Sequence, residues 1–455
     1  MSDTLTAVVS STARQRGQPA VFVGLSGDDP QAPSARISLV DVDRVDIGRA
    51  DKRRIDRRTV DGSKIVTLLL TDPRMSGNHA RLSRVGGTWI IEDMASKNGT
   101  WIGASKVSRH TLTDSDVIVV GHTALVFRDT GGENFDLDGD TPEIAPGLAT
   151  LSLPLAERYI ALAQAAKSNV PIQISGDTGT GKELVARAVH AASGREGRFI
   201  AVNCGGLVQG LVEGDLFGHK RGAYTGAMED RPGLLRSAHG GTLFLDEVAE
   251  LPAGSQAALL RVLQEGEVVP LGADRVVKVD VRLVTATHRD LALEVAANRF
   301  RADLRARLLG FQIELPPLRH RREDLGLIVK TLLKRLAPER PIVFSADAVS
   351  ALYSHDWPLN VRELERALAA ALAVATEGRI KLSHLPTAFA TPGPPETPVP
   401  PVDLSPDERV LRDQLIEAIT RHAGNITSVA REMGKDRTQI RRWMKRFGIT
   451  RDVKD

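Results

Sequence analysis

The chain has 455 residues, of which 60 are basic and 57 acidic, giving a formal net charge of +3, and 42% of the residues are apolar. This is the composition of globular protein, and at about 150 residues per domain the length predicts three domains. The single cysteine, Cys204, excludes an intramolecular disulfide and fits a reducing compartment. No run of 18 apolar residues predicts a membrane span, and residues 1–17 lack the pattern of a signal peptide, so we expect a cytoplasmic protein with no membrane partner.

Two segments, 130–147 and 391–403, are rich in Gly, Asp or Pro and are interpreted as linkers with little to bury. They divide the chain into three blocks without internal repeats. The predicted domains are a β domain at 18–130, a linker at 131–149, an α/β domain at 150–320, a smaller helical domain at 321–388, a Pro-rich linker at 389–404 and a C-terminal helical domain at 405–451.

The first block contains short β-branched or aromatic runs at 65–70, 89–93, 117–120 and 124–127, separated by Gly, Asp, Asn and Ser. Many short strands without a helical period are typical of a β-sandwich. The basic stretch 51–61 is interpreted as an inserted loop.

Three short motifs follow one another on this block. They are Ile47-Gly48-Arg49, Ser76-Gly77-Asn78-His79 and Ser96-Lys97-Asn98-Gly99-Thr100. An arginine fork next to a hydroxyl is a phosphate site, although each motif alone is weak because Asn-Gly is also the commonest hairpin turn. Together they resemble a forkhead-associated (FHA) domain, a β-sandwich whose loops bind phosphothreonine.

The FHA resemblance implies that Arg49 and Ser76 hold the phosphate, and that Asn98 binds the peptide backbone with help from Lys97. Gly48 and His79 would be structural. The implied partner is a phosphothreonine-bearing protein or peptide, this chain itself included.

In the second block, apolar strands at 172–175, 199–202, 242–245 and 282–286 alternate with helical patterns such as 183–192 and 256–264. Such alternation predicts a parallel sheet covered by helices. From about residue 323 the pattern is helical only, so a smaller α-domain is expected to follow the sheet.

The first of these strands runs into a glycine-rich loop that opens a helix. The loop reads Gly176-Asp177-Thr178-Gly179-Thr180-Gly181-Lys182-Glu183. Glycines let backbone N–H groups point at phosphate oxygens, the helix N-terminus adds a positive end, and Lys182 reaches the β- and γ-phosphates, so this is the Walker A pattern of an ATP site. The alternative is a glycine-rich turn with a lysine by chance, and Glu183 stands where the generic motif has the Ser or Thr that binds Mg²⁺.

The strand at 242–245 ends in two adjacent carboxylates, the Walker B pattern. Asp246 would hold Mg²⁺ through its hydration shell, and Glu247 would orient the attacking water. Taken alone, a strand ending in a solvated acidic turn is the other interpretation.

Residues 213–227 carry the most specific sequence of the block. They end in Gly222-Ala223-Tyr224-Thr225-Gly226-Ala227. This hexapeptide resembles the loop, usually GAFTGA, with which sigma-54-dependent transcriptional activators (bacterial enhancer-binding proteins of the AAA+ family) touch sigma-54. The resemblance runs from about residue 176 to 364, and in that family Walker A ends in Lys-Glu, so Glu183 supports it. Small residues let such a loop move, and the aromatic ring supplies contact area.

The same resemblance implies further site residues. Asn203 would couple Glu247 to the nucleotide state, Thr287 would be sensor I, and Arg362 of sensor II would face the nucleotide. Arg301 and Arg307 would be arginine fingers acting in trans, which implies a homo-oligomer, dimer to hexamer; a solvated basic helix face is the alternative for both. Two positions depart from the family, since His288 replaces a common Asn and Leu359 a usual Gly.

The third block is predicted to be helical at 410–422, 426–433 and 436–447, with a turn at Gly434 and Asp436 as an N-cap. Residues 426–451 hold eight basic and two acidic side chains, which indicates an anionic partner. The layout is that of a helix-turn-helix and resembles the Fis-type DNA-binding domain at the C-terminus of the same family, with a basic helix in a small bundle as the alternative. The residues expected to contact upstream activator DNA are Arg437, Thr438, Gln439, Arg441, Arg442 and Lys445.

The sequence therefore predicts a multidomain protein with an N-terminal all-β sandwich, a central α/β AAA+ P-loop domain with an α-helical lid, and a C-terminal all-α helix-turn-helix. The expected function is remodelling of the closed complex of sigma-54 RNA polymerase holoenzyme to the open complex, driven by ATP and Mg²⁺. The FHA domain would replace the more usual receiver or small-molecule sensor domain, so the expected input is a phosphothreonine written by a Ser/Thr kinase. Two other hypotheses stay open: a phosphopeptide-gated DNA-binding regulator without productive ATPase, favoured by His288 and Leu359, and an AAA+ remodeller unrelated to transcription.

Overall fold

The structure, a computed structural model, describes residues 18–129, 137–138, 141–206, 212–224, 227–375, 377–387, 406–422, 425–440 and 443. Residues 1–391 and 392–455 form two separate compact units. No helix within the described ranges is long and apolar enough to cross a membrane.

The β domain is a sandwich of two sheets. Its strands are β1 (Pro19–Ser26), β2 (Ala35–Ser38), β3 (Arg44–Arg49), β4 (Arg54–Val60), β5 (Ser63–Leu70), β6 (Ala80–Val85), β7 (Thr88–Asp93), β8 (Thr100–Ile102), β9 (Ser105–Val107), β10 (Arg109–Thr111), β11 (Val117–Val120), β12 (Thr123–Asp129) and β13 (Leu137–Asp138). One sheet has the order β13-β2-β1-β12-β11-β8-β9 and the other β10-β7-β6-β3-β5-β4. Their inward side chains, among them Val21, Ile47 and Leu68, form a buried core. The predicted all-β sandwich is confirmed.

The interpretation of residues 51–61 as an inserted loop is wrong. Residues 54–60 form β4, which pairs antiparallel with β5 at the edge of the sheet. Asp61 and Gly62 make the turn, with φ of 51° and 80°, as a two-residue hairpin of type I′ requires. The strand carries mostly exposed charged residues, so it lacks the apolar alternation that reveals a strand; charges at a sheet edge also oppose pairing with other chains.

The segment predicted as the first linker is packed where it is described. Leu137 and Asp138 pair with β2, and Ala145 is buried in the core of the α/β domain. Isolated apolar residues among Gly, Asp and Pro show no periodicity, so the sequence does not predict this packing.

The α/β domain contains a five-stranded parallel sheet with the order β15-β16-β19-β14-β20. Its elements are α1 (Leu153–Ala166), β14 (Ile172–Ser175), α2 (Lys182–Ala192), β15 (Phe199–Asn203), α3 (Val212–Phe217), α4 (Gly233–Ser237), β16 (Thr242–Asp246), α5 (Ala253–Glu265), β17 (Glu267–Val268), β18 (Val277–Lys278), β19 (Arg282–Thr287), α6 (Leu291–Ala296), α7 (Ala302–Leu308) and β20 (Phe311–Glu314). The four predicted strands match to within one residue, because helices cover both faces and the strands are continuous apolar runs. Their carboxyl ends lie along one edge, where Asn203 is in register with Asp246 and Ser175 with Thr287.

The helical domain follows the sheet. It contains α8 (Leu325–Leu336), β21 (Val343–Phe344), α9 (Ala346–Ser354), α10 (Asn360–Val374) and β22 (Arg379–Ile380). The expectation of helices alone missed the parallel pair β21–β22. Two-residue strands have no periodicity that a sequence pattern could show.

The helical domain and the β domain share one apolar core. Phe22 of β1 and Val126 of β12 belong to the same buried cluster as Val329 of α8 and Leu352 of α9. The backbones also meet directly, since Phe344 N donates a hydrogen bond to Gly27 O at 2.7 Å. The β domain is therefore packed on the lid as part of one unit.

The C-terminal unit contains α11 (Pro406–Arg421), α12 (Ile426–Glu432) and helical backbone at 437–440. Gly434 makes the turn with φ of 62°, and Asp436 Oδ1 accepts a hydrogen bond from Gln439 N at 2.8 Å, so the predicted turn and N-cap are confirmed. Leu415, Val429 and Ile440 belong to its small apolar core.

We expect Gly326→Ala to lower the free energy of unfolding, because a Cβ at Gly326 on α8 would lie 2.0 Å from Gly24 O on β1. Alanine is favoured over glycine in a helix by about 1 kcal/mol, but overpacking costs about 1–3 kcal/mol and here meets backbone, so the clash should win. Denaturant unfolding measures the difference. Gly77→Ala is the matched control, since a Cβ there meets nothing within 4 Å; equal stability of the two variants would contradict the close approach.

Candidate functional site

The glycine-rich loop between β14 and α2 has the backbone that phosphate binding requires. Gly176, Gly179 and Gly181 have φ of 144°, 79° and 104°. A Cβ at Gly179 would lie 2.2 Å from Leu359 O, so glycine is required there for space as well as for conformation. Thr180 Oγ1 donates a hydrogen bond to Asp177 O at 2.8 Å and stiffens the turn. Because α2 begins at Lys182, its first N–H groups lie at the end of this loop.

Lys182 is held inside the loop. Its side chain is almost fully buried, and Nζ lies 3.0 Å from Gly176 O and 3.6 Å from Glu247 Oε1. Burial raises the pKa of Asp246, and the nearby Lys182 charge offsets this only in part. The site therefore combines one buried cation with two carboxylates at the carboxyl edge of the sheet.

Glu247 is fixed by a partner that the sequence did not reveal. It has the left-handed φ of 53°, a conformation that costs free energy for a residue with a Cβ and that the surrounding contacts must hold. Its Oε2 lies 2.6 Å from His288 Nδ1 and accepts a hydrogen bond from His288 N at 3.3 Å. The sequence marked His288 only as a departure from the family; its place directly after a strand end was the available signal.

The other predicted residues at this edge have different partners. Asn203 Oδ1 accepts a hydrogen bond from Gly205 N at 3.0 Å, and fully buried Thr287 accepts one from Arg289 N at 3.0 Å. Glu183 is paired along α2 with Arg187 at 2.7 Å. Asn203 thus lies beside Asp246 in the sheet, while His288 is the side chain that pairs with Glu247.

The lid binds three successive carbonyls of the loop. Asn360 Nδ2 donates to Thr178 O at 2.9 Å, Val361 N donates to Gly179 O at 3.0 Å, and Arg321 Nη2 donates to Thr180 O at 2.7 Å. Both side chains are buried, and Asn360 Oδ1 also accepts a hydrogen bond from Leu318 N. Sequence reasoning missed both residues, because nothing in a local pattern shows that a lid segment folds back on the loop.

Two further lid positions can be compared with the sequence. Arg362 lies beside the loop, with its Cβ 3.1 Å from where a Cβ of Gly179 would be. Leu359 has φ of −103°, so this turn does not need the glycine that the family usually has. A cavity of about 650 Å³, lined by residues that include Thr180, Leu184 and Arg321, lies against the loop.

Arg301, just before α7, and Arg307, on it, bind partners within the same chain. Arg301 Nη2 lies 2.7 Å from Asp303 Oδ2, and Arg307 Nη2 donates to Leu263 O at 2.9 Å. Arg307 also lines a second cavity of about 500 Å³ with Pro171 and Arg282, at the amino ends of the strands. The partners of both arginine side chains, Asp303 and Leu263 O, lie outside the glycine-rich loop.

The hexapeptide loop is closed at its base. Gly222 N donates to Ala227 O at 2.8 Å, and Ala227 N donates to Tyr224 O at 3.0 Å. The Tyr224 ring lies edge-on to the buried His219 ring, 5.0 Å between centroids. Ala223 is half-buried beside this base, and Thr225 and Gly226 lie outside the described residues.

The four predicted phosphothreonine residues come together on neighbouring loops of the β domain. Arg49 N donates to Ser76 O at 3.0 Å, Ser76 Oγ accepts from Lys97 N at 3.1 Å, and Asn98 Nδ2 donates to Arg74 O at 2.6 Å. The side chains of Arg49, Lys97 and Asn98 are exposed. They form one exposed polar and cationic surface.

His79 ties these loops together. Its side chain is fully buried, Nδ1 accepts a hydrogen bond from Ser76 N at 3.0 Å, and Nε2 donates to Gly99 O at 3.2 Å. Burial lowers the pKa of His79, which keeps Nδ1 free to accept that bond. A Cβ at Gly48 would lie 2.0 Å from Gly77 O, so this position must be glycine for the loops to meet.

In the C-terminal unit, Arg437 and Thr438 are exposed and Gln439 is half-buried. Arg441, Arg442 and Lys445 lie outside the described residues. The structure therefore places the first three predicted DNA contacts and leaves the other three as sequence predictions.

Comparison with known proteins matches three segments of the chain. A family model described as the sigma-54 interaction domain matches residues 150–314, one described as the AAA+ ATPase lid domain matches 319–400, and one described as the FHA domain matches 45–121. These matches confirm the FHA fold of the first block and the AAA+ fold with its lid.

Curated relatives and a solved structure cover similar parts. The hydrogenase transcriptional regulatory protein HoxA of Cupriavidus necator is 43% identical over 301 residues, which are 63% of this chain and 62% of that protein. The transcriptional regulatory protein ZraR of Escherichia coli K12 is 41% identical over 314 residues, 67% of this chain and 70% of that protein. The crystal structure of NtrX from Brucella abortus in complex with ADP aligns with 32% identity and a TM-score of 0.50, covering 66% of this chain and 70% of that one.

Proposed function

This chain belongs to the family of sigma-54-dependent transcriptional regulators, and from that premise we propose that it is an ATP-hydrolysing activator that opens sigma-54 promoters in response to a phosphothreonine signal. The observation that carries the proposal is the meeting of Lys182, Asp246 and Glu247 at the carboxyl edge of a parallel sheet, against a glycine loop with the backbone of a phosphate site. ADP is bound in the related NtrX structure, which supports a nucleotide as the ligand here.

The residues present fit ATP with Mg²⁺. Lys182 and the N–H groups of 176–182 bind the phosphates, and Arg362 approaches them from the lid. Asp246 is a half-buried carboxylate whose raised pKa reflects incomplete compensation by Lys182, so it is suited to hold Mg²⁺ through water. When bound, Mg²⁺ neutralises charge on the phosphates.

Glu247 orients the attacking water and, as a general base, accepts the proton that the water loses when it attacks the phosphate. Its carboxylate starts out paired with His288, so the pair must open, or turn, for the carboxylate to meet water. Asn203 and Thr287, at the neighbouring strand ends, would report the nucleotide state to the rest of the domain.

Arg301 and Arg307 supply charge to the nucleotide of a neighbouring protomer in a ring. Their side chains are bound to Asp303 and Leu263 O rather than to the glycine-rich loop of the same chain, which supports action in trans. Arginine suits this role because it is always charged and forks onto phosphate oxygens. The assembly would be a hexamer built from dimers.

The loop Gly222-Ala223-Tyr224-Thr225-Gly226-Ala227 makes the contact with sigma-54 in the polymerase holoenzyme. Hydrogen bonds close the base of the loop, and its small residues would let it move when the nucleotide changes. Upstream DNA would be bound by Arg437, Thr438 and Gln439 at base edges and by Lys445, near the far end of the helix, at phosphates, with Arg441 and Arg442 as further DNA contacts.

One observation favours a second function, a phosphopeptide-gated DNA-binding regulator without productive ATPase. The pairing of Glu247 with His288 at 2.6 Å occupies the carboxylate that hydrolysis needs. A steady-state ATPase assay on the full chain separates the two functions.

For hydrolysis, we expect Glu247→Gln to keep nucleotide binding and to lose turnover by at least ~100-fold, because a neutral amide cannot take the proton of the attacking water or orient it as the carboxylate does. Lys182→Ala should abolish binding. Turnover and binding of a fluorescent ATP analogue are measured side by side. Glu265→Gln, on the exposed end of α5, is the matched control, and normal turnover in the Glu247 variant would reject the role given to that residue.

For output, we expect Thr225→Ala to leave ATP turnover intact and to abolish open-complex formation with sigma-54 polymerase, because the change is in the contact loop. Tyr224→Phe keeps the ring and should stay active. Promoter opening by Thr225→Ala at the wild-type level would show that the hexapeptide does not make the productive contact with sigma-54.

For input, we expect the full chain to bind a phosphothreonine peptide and not its unphosphorylated form. Arg49→Ala should cost a charge-assisted contact, on the order of 1.5–3 kcal/mol. Calorimetry measures both, with Arg109→Ala, an exposed arginine paired with Glu92, as the control. Equal affinity for the two peptide forms would be incompatible with the phosphothreonine site.

A further inference from the structure

A buried ion pair connects the β domain to the lid. Arg128, near the end of β12, donates from Nη1 to Glu323 Oε2 at 2.8 Å and to His320 O at 3.1 Å. Its Nε donates to Asp114 Oδ1 at 3.1 Å within the β domain. The Glu323 side chain is only 3% exposed, so solvent does not weaken this pair as it weakens surface ion pairs.

The segment that Arg128 binds also holds the nucleotide loop. Arg321, between the two contact points of Arg128, is buried and donates to Thr180 O at 2.7 Å. Asp324, also buried, accepts hydrogen bonds from Thr150 Oγ1 and Leu151 N, both at 2.6 Å. Residues 320–324 therefore contact the β domain, the P-loop and the beginning of the α/β domain within five positions.

Arg128 compensates the charge of Glu323, a carboxylate that is too buried for water to solvate. Burial raises the pKa of Glu323 to about 7, even though Arg128 acts to lower it, and the neighbouring Asp324 raises it further. Without Arg128 the carboxylate would have to take up a proton or move toward water. In either case the hydrogen bonds from Arg128 to Glu323 and to His320 O are lost, and with them the direct contact that holds the residues on either side of Arg321 against the β domain.

The β domain is held against the lid by more than this pair. The shared apolar core continues from Phe22 into α8, which begins at Leu325 directly after the ion pair. Ser34 of the β domain lines the cavity beside the P-loop. The phosphothreonine residues Arg49 and Asn98 remain exposed in this arrangement, so docking and peptide binding use different surfaces.

We propose that Arg128 of the FHA domain is a positioning residue of the ATP site: through Glu323 it fixes Arg321 on the P-loop carbonyl, so that the docked FHA domain sets the affinity for ATP. This inference rests on the proposed ATPase function. It makes the phosphothreonine-binding domain a structural part of the nucleotide site rather than a detached sensor.

The test compares Arg128→Met, Arg128→Lys, Glu323→Gln and the Arg128→Met/Glu323→Gln double variant in the full chain. Arg128→Met should raise KM for ATP and Kd for a fluorescent ATP analogue about tenfold, within the range typical of coupling between sites, with a smaller effect on kcat. Arg128→Lys, which keeps the charge, should restore most of the affinity. The double variant should bind more tightly than Arg128→Met, because no uncompensated carboxylate remains.

Arg109→Met, on an exposed ion pair of the same domain, is the control and should change neither constant. Phosphothreonine-peptide binding by each variant reports that the FHA domain is folded. Unchanged KM and Kd in Arg128→Met, or loss of thermal stability alone, would overturn the inference; where that variant does not fold, the Lys and double variants decide it by the same constants. Absence of hydrolysis in the wild-type chain would reject the proposed function, while Kd would still test the role of Arg128.

Discussion

The rest of the structure depends on how the lid satisfies the P-loop carbonyls. A loop that turns its N–H groups toward phosphate turns its carbonyls the other way, and buried carbonyls need donors. Asn360, Val361 and Arg321 supply them to residues 178–180, so the conformation of the nucleotide loop is set by the position of the lid. A displacement of the lid therefore changes the conformation of the nucleotide loop, and a ligand bound to the loop changes the position of the lid.

This constraint explains why the β domain is joined to the lid by a common core and a buried ion pair. A signal domain tethered by a linker alone would not contact the loop or the lid. Here Phe22 packs in the same apolar core as α10, which begins at the donors Asn360 and Val361, and Arg128 binds residues 320–324, which include the donor Arg321. At the opposite side of the loop, His288 and Lys182 fix Glu247. The nucleotide site therefore lies between the lid, on which the β domain is packed, and the strand ends that hold Asp246 and Glu247.

Much of this was predictable from sequence. Three kinds of feature could be predicted because each is a short, contiguous stretch of sequence. They are the Walker motifs, the four parallel strands and the three FHA motifs, which are marked by glycines, by polar residues at strand ends and by apolar runs. The strand at 54–60 was not predicted, because the charged residues of this edge strand interrupt the alternation of apolar and polar side chains that indicates a strand. The pairs Arg128–Glu323, 195 positions apart, and Glu247–His288 were not predictable, since neither belongs to a motif and each depends on how distant segments fold together.

The central claim, that ATP hydrolysis in this chain opens sigma-54 promoters, is tested most directly by promoter melting in a purified system. Single-stranded DNA at a sigma-54 promoter with upstream sites for this protein would be mapped by permanganate reactivity, with ATP or a non-hydrolysable analogue and with sigma-54 or a different sigma factor. Melting is expected only with hydrolysable ATP and sigma-54 together. Melting with the analogue, or ATP hydrolysis by the bound protein without melting, would contradict it.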